Sequence, residues 1–233
     1  PADRRTVVQS TMEERRVRQE NEAYLDRLRS AYPGVFVAPG EAFSSIHRGD
    51  RIFIGTGCGQ PQYLLDELVR YTETHPKAFF DAEVLHLWTL GVAPYLKEDV
   101  KRNFRLNSFF IAQTTRAAVN EGKADYTAIF LSQVPRLLRR GILPIDVALV
   151  QTSLPDEHGF MSLGISVDIV RAALDNAGIV ICQMNRHMPR THGDSFVHLD
   201  RVDYVVRHDE QLLEYPAEAP DETAQRIGGY VAR

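Results

Sequence analysis

The chain has 233 residues, 44% apolar and 25% charged, with a formal net charge of −4 and a pI near 6.1. That length buries a sizeable core, as one large domain or two small ones, and the acidic balance excludes nucleic acid as a default partner. No apolar run approaches the roughly eighteen residues of a membrane helix, and the histidines and two cysteines lack the HExxH or paired CxxC spacing of a metal site.

Residues 11–30 mix both charge signs and set Val17, Tyr24, Leu25 and Leu28 on one helical stripe, which predicts an amphipathic helix laid on the main body. After "AYPG" the pattern changes to short apolar runs alternating with helical periods. "RIFI" (51–54) predicts a strand and 61–74 a helix. "EVLHLWTL" (83–90) and "FFIA" (109–112) read as strands, and "TTRAAVNEG" (114–122) as a short helix closed by Gly122. "YTAIF" (126–130) is a predicted strand and "VPRLLRRG" (134–141) a helix stopped by glycine. "DVALVQTS" (146–153) is a continuous buried-type strand, "SVDIVRAALDNAG" (166–178) a capped helix, "IVICQMN" (179–185) a strand and "VDYVVRHD" (202–209) the last strand. Strands that are apolar throughout and alternate with helices predict an α/β fold: an open, largely parallel sheet with helices on both faces.

This divides the chain into an N-terminal helical extension over 1–32, an α/β domain over 33–213 and a tail over 214–233. In the tail, "EYPAEAPDE" (214–222) has linker composition. Asp221 or Thr223 then caps a helix whose apolar stripe is Ile227, Tyr230 and Val231. That stripe has nothing left to pack against, so the sequence reads as the first half of something larger. Two cysteines, Cys58 and Cys182, build no disulfide framework and point to a reducing cytoplasm.

The stretch "RIFIGTGCGQPQYLLDELV" (51–69) runs from a strand through a glycine-rich turn into a helix. As a dinucleotide fingerprint it fails, because its third glycine comes one place early and neither Glu73 nor Asp81 closes a clean second strand. As a nucleophile elbow it puts glycines beside Cys58 rather than two residues away, and a small residue filling a tight turn explains Cys58 better. A third reading uses the backbone. Alternating glycines let successive N–H groups converge at the positive end of the next helix, forming a nest for a phosphate or a thioester oxyanion.

"GDRIFIGTGCGQPQYLLDELV" resembles the N-terminal half of the acetyl-CoA hydrolase/transferase family, which includes 4-hydroxybutyrate and acetate CoA-transferases. The likeness continues through "HLWTLGVAPYL" (86–96), 104–138, "PIDVALVQTSLPDEHGFMSLGISVD" (144–168) and "NRHMPRTHGDSFVHLDRVDYVV" (185–206). The resemblance implies a CoA-transferase-like fold repeated as two halves with the active site between them. It also implies a glutamate that attacks an acyl-CoA to give an acyl-glutamyl anhydride and then an enzyme-CoA thioester. An acceptor carboxylate, or water in a hydrolase, then takes over. The family's nucleophile lies beyond Arg233, and no glutamate here matches its motif, Glu157 included, so the resemblance implies that this chain alone is catalytically incompetent. Coenzyme A enters as a substrate, with no metal or prosthetic group. The implied partners are an acyl-CoA, a short carboxylate, the C-terminal half of the same protein and further copies in a homo-oligomer. A non-catalytic assembly half is the rival of another class.

Carried over from the family motifs, Gly57, Cys58 and Gly59 bind the thioester or carboxylate through backbone N–H, and Gln60 makes a polar contact. Pro61 marks the helix start behind them. His158, Gly159 and Ser162 follow a strand end, where open α/β sheets place ligands. His158 either contacts substrate or is a structural hydrogen-bonder. Asn185 also ends a strand. Arg190 either holds a carboxylate or CoA phosphate through its planar fork or pairs with Asp194.

Overall fold

The computed structural model describes residues 22–215 and 219–232. Its strands are β1 (Arg51–Ile54), β2 (Ala82–His86), β3 (Phe104–Ser108), β4 (Ala124–Tyr126), β5 (Ile145–Thr152), β6 (Phe160–Ser162), β7 (Ala177–Met184), β8 (Phe196–His198) and β9 (Tyr204–Arg207). Helix α1 covers 22–31. It is followed by α2 (Pro39–Phe43), α3 (Gln62–Thr74), α4 (Gln113–Asn120), α5 (Val134–Arg139), α6 (Val170–Asn176) and α7 (Glu222–Val231). Seven strands form one sheet in the order β4-β3-β2-β1-β5-β7-β9, and β6 pairs with β8 in a separate two-stranded sheet. Every pairing in the large sheet is parallel, and only β6–β8 is antiparallel.

Because strand residues alternate between faces, the sheet divides its apolar side chains into two cores. Ile52, Ile54, Val147, Leu149 and Ile181 join Phe43 of α2 and Leu64, Leu65 and Leu68 of α3. Phe53, Ala148, Val150, Val180 and Cys182 join Leu25 and Leu28 of α1, Leu138 of α5 and Ala173 and Leu174 of α6. The open α/β sheet with helices on both faces is therefore the observed fold. The stripe read in the N-terminal helix is buried at Leu25 and Leu28, whereas Val17 lies outside the described residues. Buried beside Thr152, Cys182 has its thiol pushed up to about 12 by desolvation, and it acts as an apolar core residue.

Four predicted elements move by more than two residues. "FFIA" is not a strand; the strand is Phe104–Ser108, where buried Phe104 and Leu106 alternate with the exposed Arg105. β2 ends at His86, and β4 is Ala124–Tyr126, so Leu87–Leu90 and 127–130 are loop. The helix predicted over 166–178 is only Val170–Asn176. Asp168 accepts the amides of Ile169 and Val170 ahead of it, and Gly178 lies inside β7 rather than capping the helix. In the tail it is Asp221 that caps, accepting from Ala224 N at 2.7 Å.

Strands β1 to β4 step outward on one side of β1, and β5 returns to its other side. The order reverses between β1 and β5, and the crevice at the carboxyl ends of strands at such a reversal is where open α/β sheets bind ligands.

Candidate functional site

The glycine loop leaves β1 at this reversal. Gly55 still pairs with β5, donating to Leu149 O at 2.8 Å, and Gly57–Gly59 then form a single 3-10 turn. Gly57 has φ 56°, a left-handed conformation that side chains other than glycine adopt at a cost. Its N–H donates to Trp88 O at 2.9 Å, and the Gly59 N–H donates to Thr56 O at 3.1 Å. The Cys58 N–H is the amide of the turn left without an intramolecular partner among the described residues. Two amides at the positive end of α3 are occupied by side chains of the protein: Glu210 Oε1 accepts Tyr63 N at 3.4 Å, and Gln183 Oε1 accepts Leu64 N at 3.3 Å. The turn itself thus offers one donor rather than a converging set.

Gly57 and Cys58 line a cavity of about 410 Å³ together with Thr56, Leu87, Trp88, Ile165, Ser166, Asp168 and Leu213. The polar side is one hydrogen-bonded cluster. Thr56 Oγ1 donates to Asp168 Oδ2 at 2.6 Å, and Ser166 Oγ donates to Thr56 O at 2.7 Å. With its other oxygen receiving the α6 amides, the Asp168 carboxylate joins the loop after β1 to the start of α6. Gly59 backs directly onto this cluster, since a Cβ there would lie 2.3 Å from Ser166 Cβ. Among the described residues no histidine is in the lining, so none of them sets an imidazole base beside Cys58 in this cavity.

The remaining sequence-selected residues lie apart from this lining. Gln60 is buried; its Nε2 donates to Val92 O at 2.7 Å, and its Oε1 has no partner among the described residues. Gln62 Oε1 accepts Val92 N at 2.9 Å, so two amide side chains grip the loop that carries Trp88. Asn185 is fully buried in an internal chain. Its Nδ2 donates to Gln151 Oε1 at 2.6 Å and to Glu210 O at 2.8 Å, and its Oδ1 accepts His187 N at 3.0 Å.

His158, Gly159, Ser162 and Arg190 gather around the antiparallel β6–β8 pair. The exposed His158 accepts His198 Nε2 at its carbonyl at 2.9 Å, and Gly159 packs against the same imidazole. Ser162 Oγ accepts Thr191 N and Gly164 N, both at 3.1 Å. Arg190 pairs with Asp156 rather than Asp194, and its guanidinium lies 4.7 Å from the Phe196 ring centroid. Partial burial alone would raise Asp156, but the amides of Phe160 and His158 and the Arg190 charge outweigh it and lower its pKa.

Sequence reasoning did not single out Thr56, Trp88, Ser166 or Asp168. For Asp168 a signal existed, an acidic residue just ahead of an apolar helical run. For the others none did, because chain folding alone brings Thr56 and Ser166 together across 110 positions.

Comparison with known proteins agrees with this architecture. Residues 14–214 match the model of the acetyl-CoA hydrolase/transferase N-terminal domain. The 4-hydroxybutyrate coenzyme A transferase of Clostridium kluyveri is 37% identical over 197 residues, covering 84% of this chain and 45% of that protein. A succinyl-CoA:acetate/propanoyl-CoA:succinate CoA transferase of Fasciola hepatica is 36% identical over 192 residues, covering 82% of this chain and 39% of its own length. This chain thus spans less than half the length of either relative. Among solved structures, RipA from Yersinia pestis superposes with a TM-score of 0.73 at 27% identity, covering 82% of this chain and 46% of that one. With a matching fold, a loop and cavity at the sheet's reversal, and a family match across most of its length, the chain belongs to the acetyl-CoA hydrolase/transferase family, whose N-terminal domain it matches.

Proposed function

We propose that this chain is the N-terminal part of a CoA-transferase that moves CoA between an acyl-CoA and a short carboxylate. The single observation that carries this reading is the cavity at the β1/β5 reversal, built from motifs that resemble those of the CoA-transferases. In the proposed cycle a glutamate outside these residues attacks the thioester carbonyl carbon. The C–S bond breaks, and the CoA thiolate leaves a mixed anhydride. The thiolate then attacks the glutamyl carbonyl, releasing the first carboxylate and leaving an enzyme-CoA thioester. An incoming carboxylate reverses both steps and departs as the new acyl-CoA.

The part assigned to this chain is to bind and polarise. Negative charge grows on the thioester oxygen at each attack, and a fixed N–H donor there is worth about 3–4 kcal/mol in comparable oxyanion holes. The Cys58 amide, without a partner among the described residues, supports that role. Thr56, Ser166 and Asp168 fix the turn, so the donor needs no reorganisation during reaction. The lack of a histidine in the lining among the described residues weighs against a cysteine hydrolase.

The test is a CoA-exchange assay on the full-length protein. The reading expects CoA to pass from acetyl-CoA or butanoyl-CoA to an added carboxylate; absence of both exchange and acyl-CoA hydrolysis rejects it.

A further inference from the structure

We propose that the apolar groove beside the cavity seats the hydrocarbon body of the acyl group, so that butanoyl, hexanoyl or ring-bearing acyl groups are selected over acetyl. This rests on the CoA-transferase reading. The groove, about 350 Å³, is lined among the described residues by the aliphatic and aromatic side chains of Leu87, Trp88, Phe109, Phe110, Ile129 and Leu131. Its volume is in the range of small-molecule sites. Leu87 and Trp88 also line the cavity that holds Gly57 and Cys58, so groove and cavity share a wall. A thioester carbonyl at the Cys58 amide therefore has apolar surface next to it for the chain it carries.

A further observation favours an acyl body. The walls are fixed in advance. Trp88 O accepts Gly57 N–H at 2.9 Å, Phe109 N donates to His86 O at 3.0 Å, and Thr89 O accepts the Thr114 hydroxyl at 3.0 Å. A preformed apolar wall rewards each buried methylene with about a fourfold gain. An acetyl group has a single methyl to offer and leaves most of the groove to water.

The test measures kcat/KM of the full-length protein for acetyl-, butanoyl- and hexanoyl-CoA with one acceptor. The proposal expects a rise of about fourfold per methylene until the groove is filled, and a flat profile overturns it. Phe110→Asp, at a half-exposed position, is expected to cut the hexanoyl-to-acetyl ratio about tenfold or more. An unchanged ratio also overturns the proposal and assigns the groove to contact with another part of the polypeptide. Should no acyl-CoA be turned over, the CoA-transferase reading fails, and the emission of Trp88, taken as the difference between the full-length parent and its Trp88→Phe variant, decides the groove. A shift with hexanoate and none with acetate supports it; no shift with either overturns it.

Discussion

Gly59 lies so close to Ser166 that a Cβ on the glycine would meet the serine Cβ at 2.3 Å. The turn after β1 and the loop before α6 are therefore seated in van der Waals contact, and the hydrogen bond from Ser166 Oγ to Thr56 O is made in that seat. Gly59→Ala is expected to cost about 1–3 kcal/mol through overpacking and to lower acyl-CoA turnover. The double variant Gly59→Ala/Ser166→Gly, which reopens the space, is expected to recover part of the stability in urea unfolding. Equal loss in the single and double variants would show that the contact is not what constrains the turn.

Thr56 is the other half of that junction. Thr56→Val keeps the shape and removes the hydroxyl that Asp168 accepts at 2.6 Å. Stability is expected to fall by about 1–2 kcal/mol, with a larger relative effect on kcat than on KM because the turn carrying the Cys58 amide loosens. Thr56→Ser retains the donor and is expected to restore both. Steady-state kinetics of the two variants separate this from a loss of packing, which Thr56→Ser alone would suffer through its missing methyl.

Much of the fold was legible because β1, β5 and β7 are continuous apolar runs in a buried parallel sheet, and α3 is a long amphipathic stretch with clear ends. The misplaced strand is instructive. "FFIA" is more apolar than "FRLNS", yet Phe110 is left half in water beside a groove, while Phe104 and Leu106 supply the sheet. Local pattern reasoning fails where apolar residues serve a surface instead of the core. The pair β6–β8 was missed because its strands are three residues each and are separated in the chain by α6 and β7. Within the site, the glycine turn was readable as a unit. Its partners Trp88, Ser166 and Asp168 were not, since only the tertiary fold brings them to it.

Cys58→Ala tests the division of labour within the turn. The thiol lines the cavity without a histidine beside it, while the backbone amide remains in the variant. CoA transfer is expected to stay within about threefold of the parent, far from the loss of several powers of ten that follows removal of a nucleophile. A collapse of activity would move the chemistry onto the sulfur.

His86, at the end of β2, gives the fold a pH signature. Burial holds its imidazole neutral and lowers its pKa from 6.5 to about 4, and Thr89 Oγ1 lies 2.7 Å from its Nδ1. The unfolded chain takes up this proton near pH 6.5, whereas the folded chain resists until about 4. The contribution is therefore complete above 6.5 and is lost as pH falls through that window. Between pH 7 and 4 the parent is expected to lose about 3 kcal/mol more than His86→Gln. Urea unfolding of both proteins across that range reads the difference directly, and parallel curves would remove His86 from the explanation.

The most direct measurement is to locate the covalent CoA adduct. The full-length protein is incubated with acyl-CoA, the enzyme-CoA thioester is cleaved with borohydride or hydroxylamine, and the modified peptide is identified by mass spectrometry. The modified residue is expected to be a glutamate outside residues 1–233, with Cys58 and Glu157 untouched. Modification at a residue of this chain would contradict the division between a binding half and a nucleophile-bearing half.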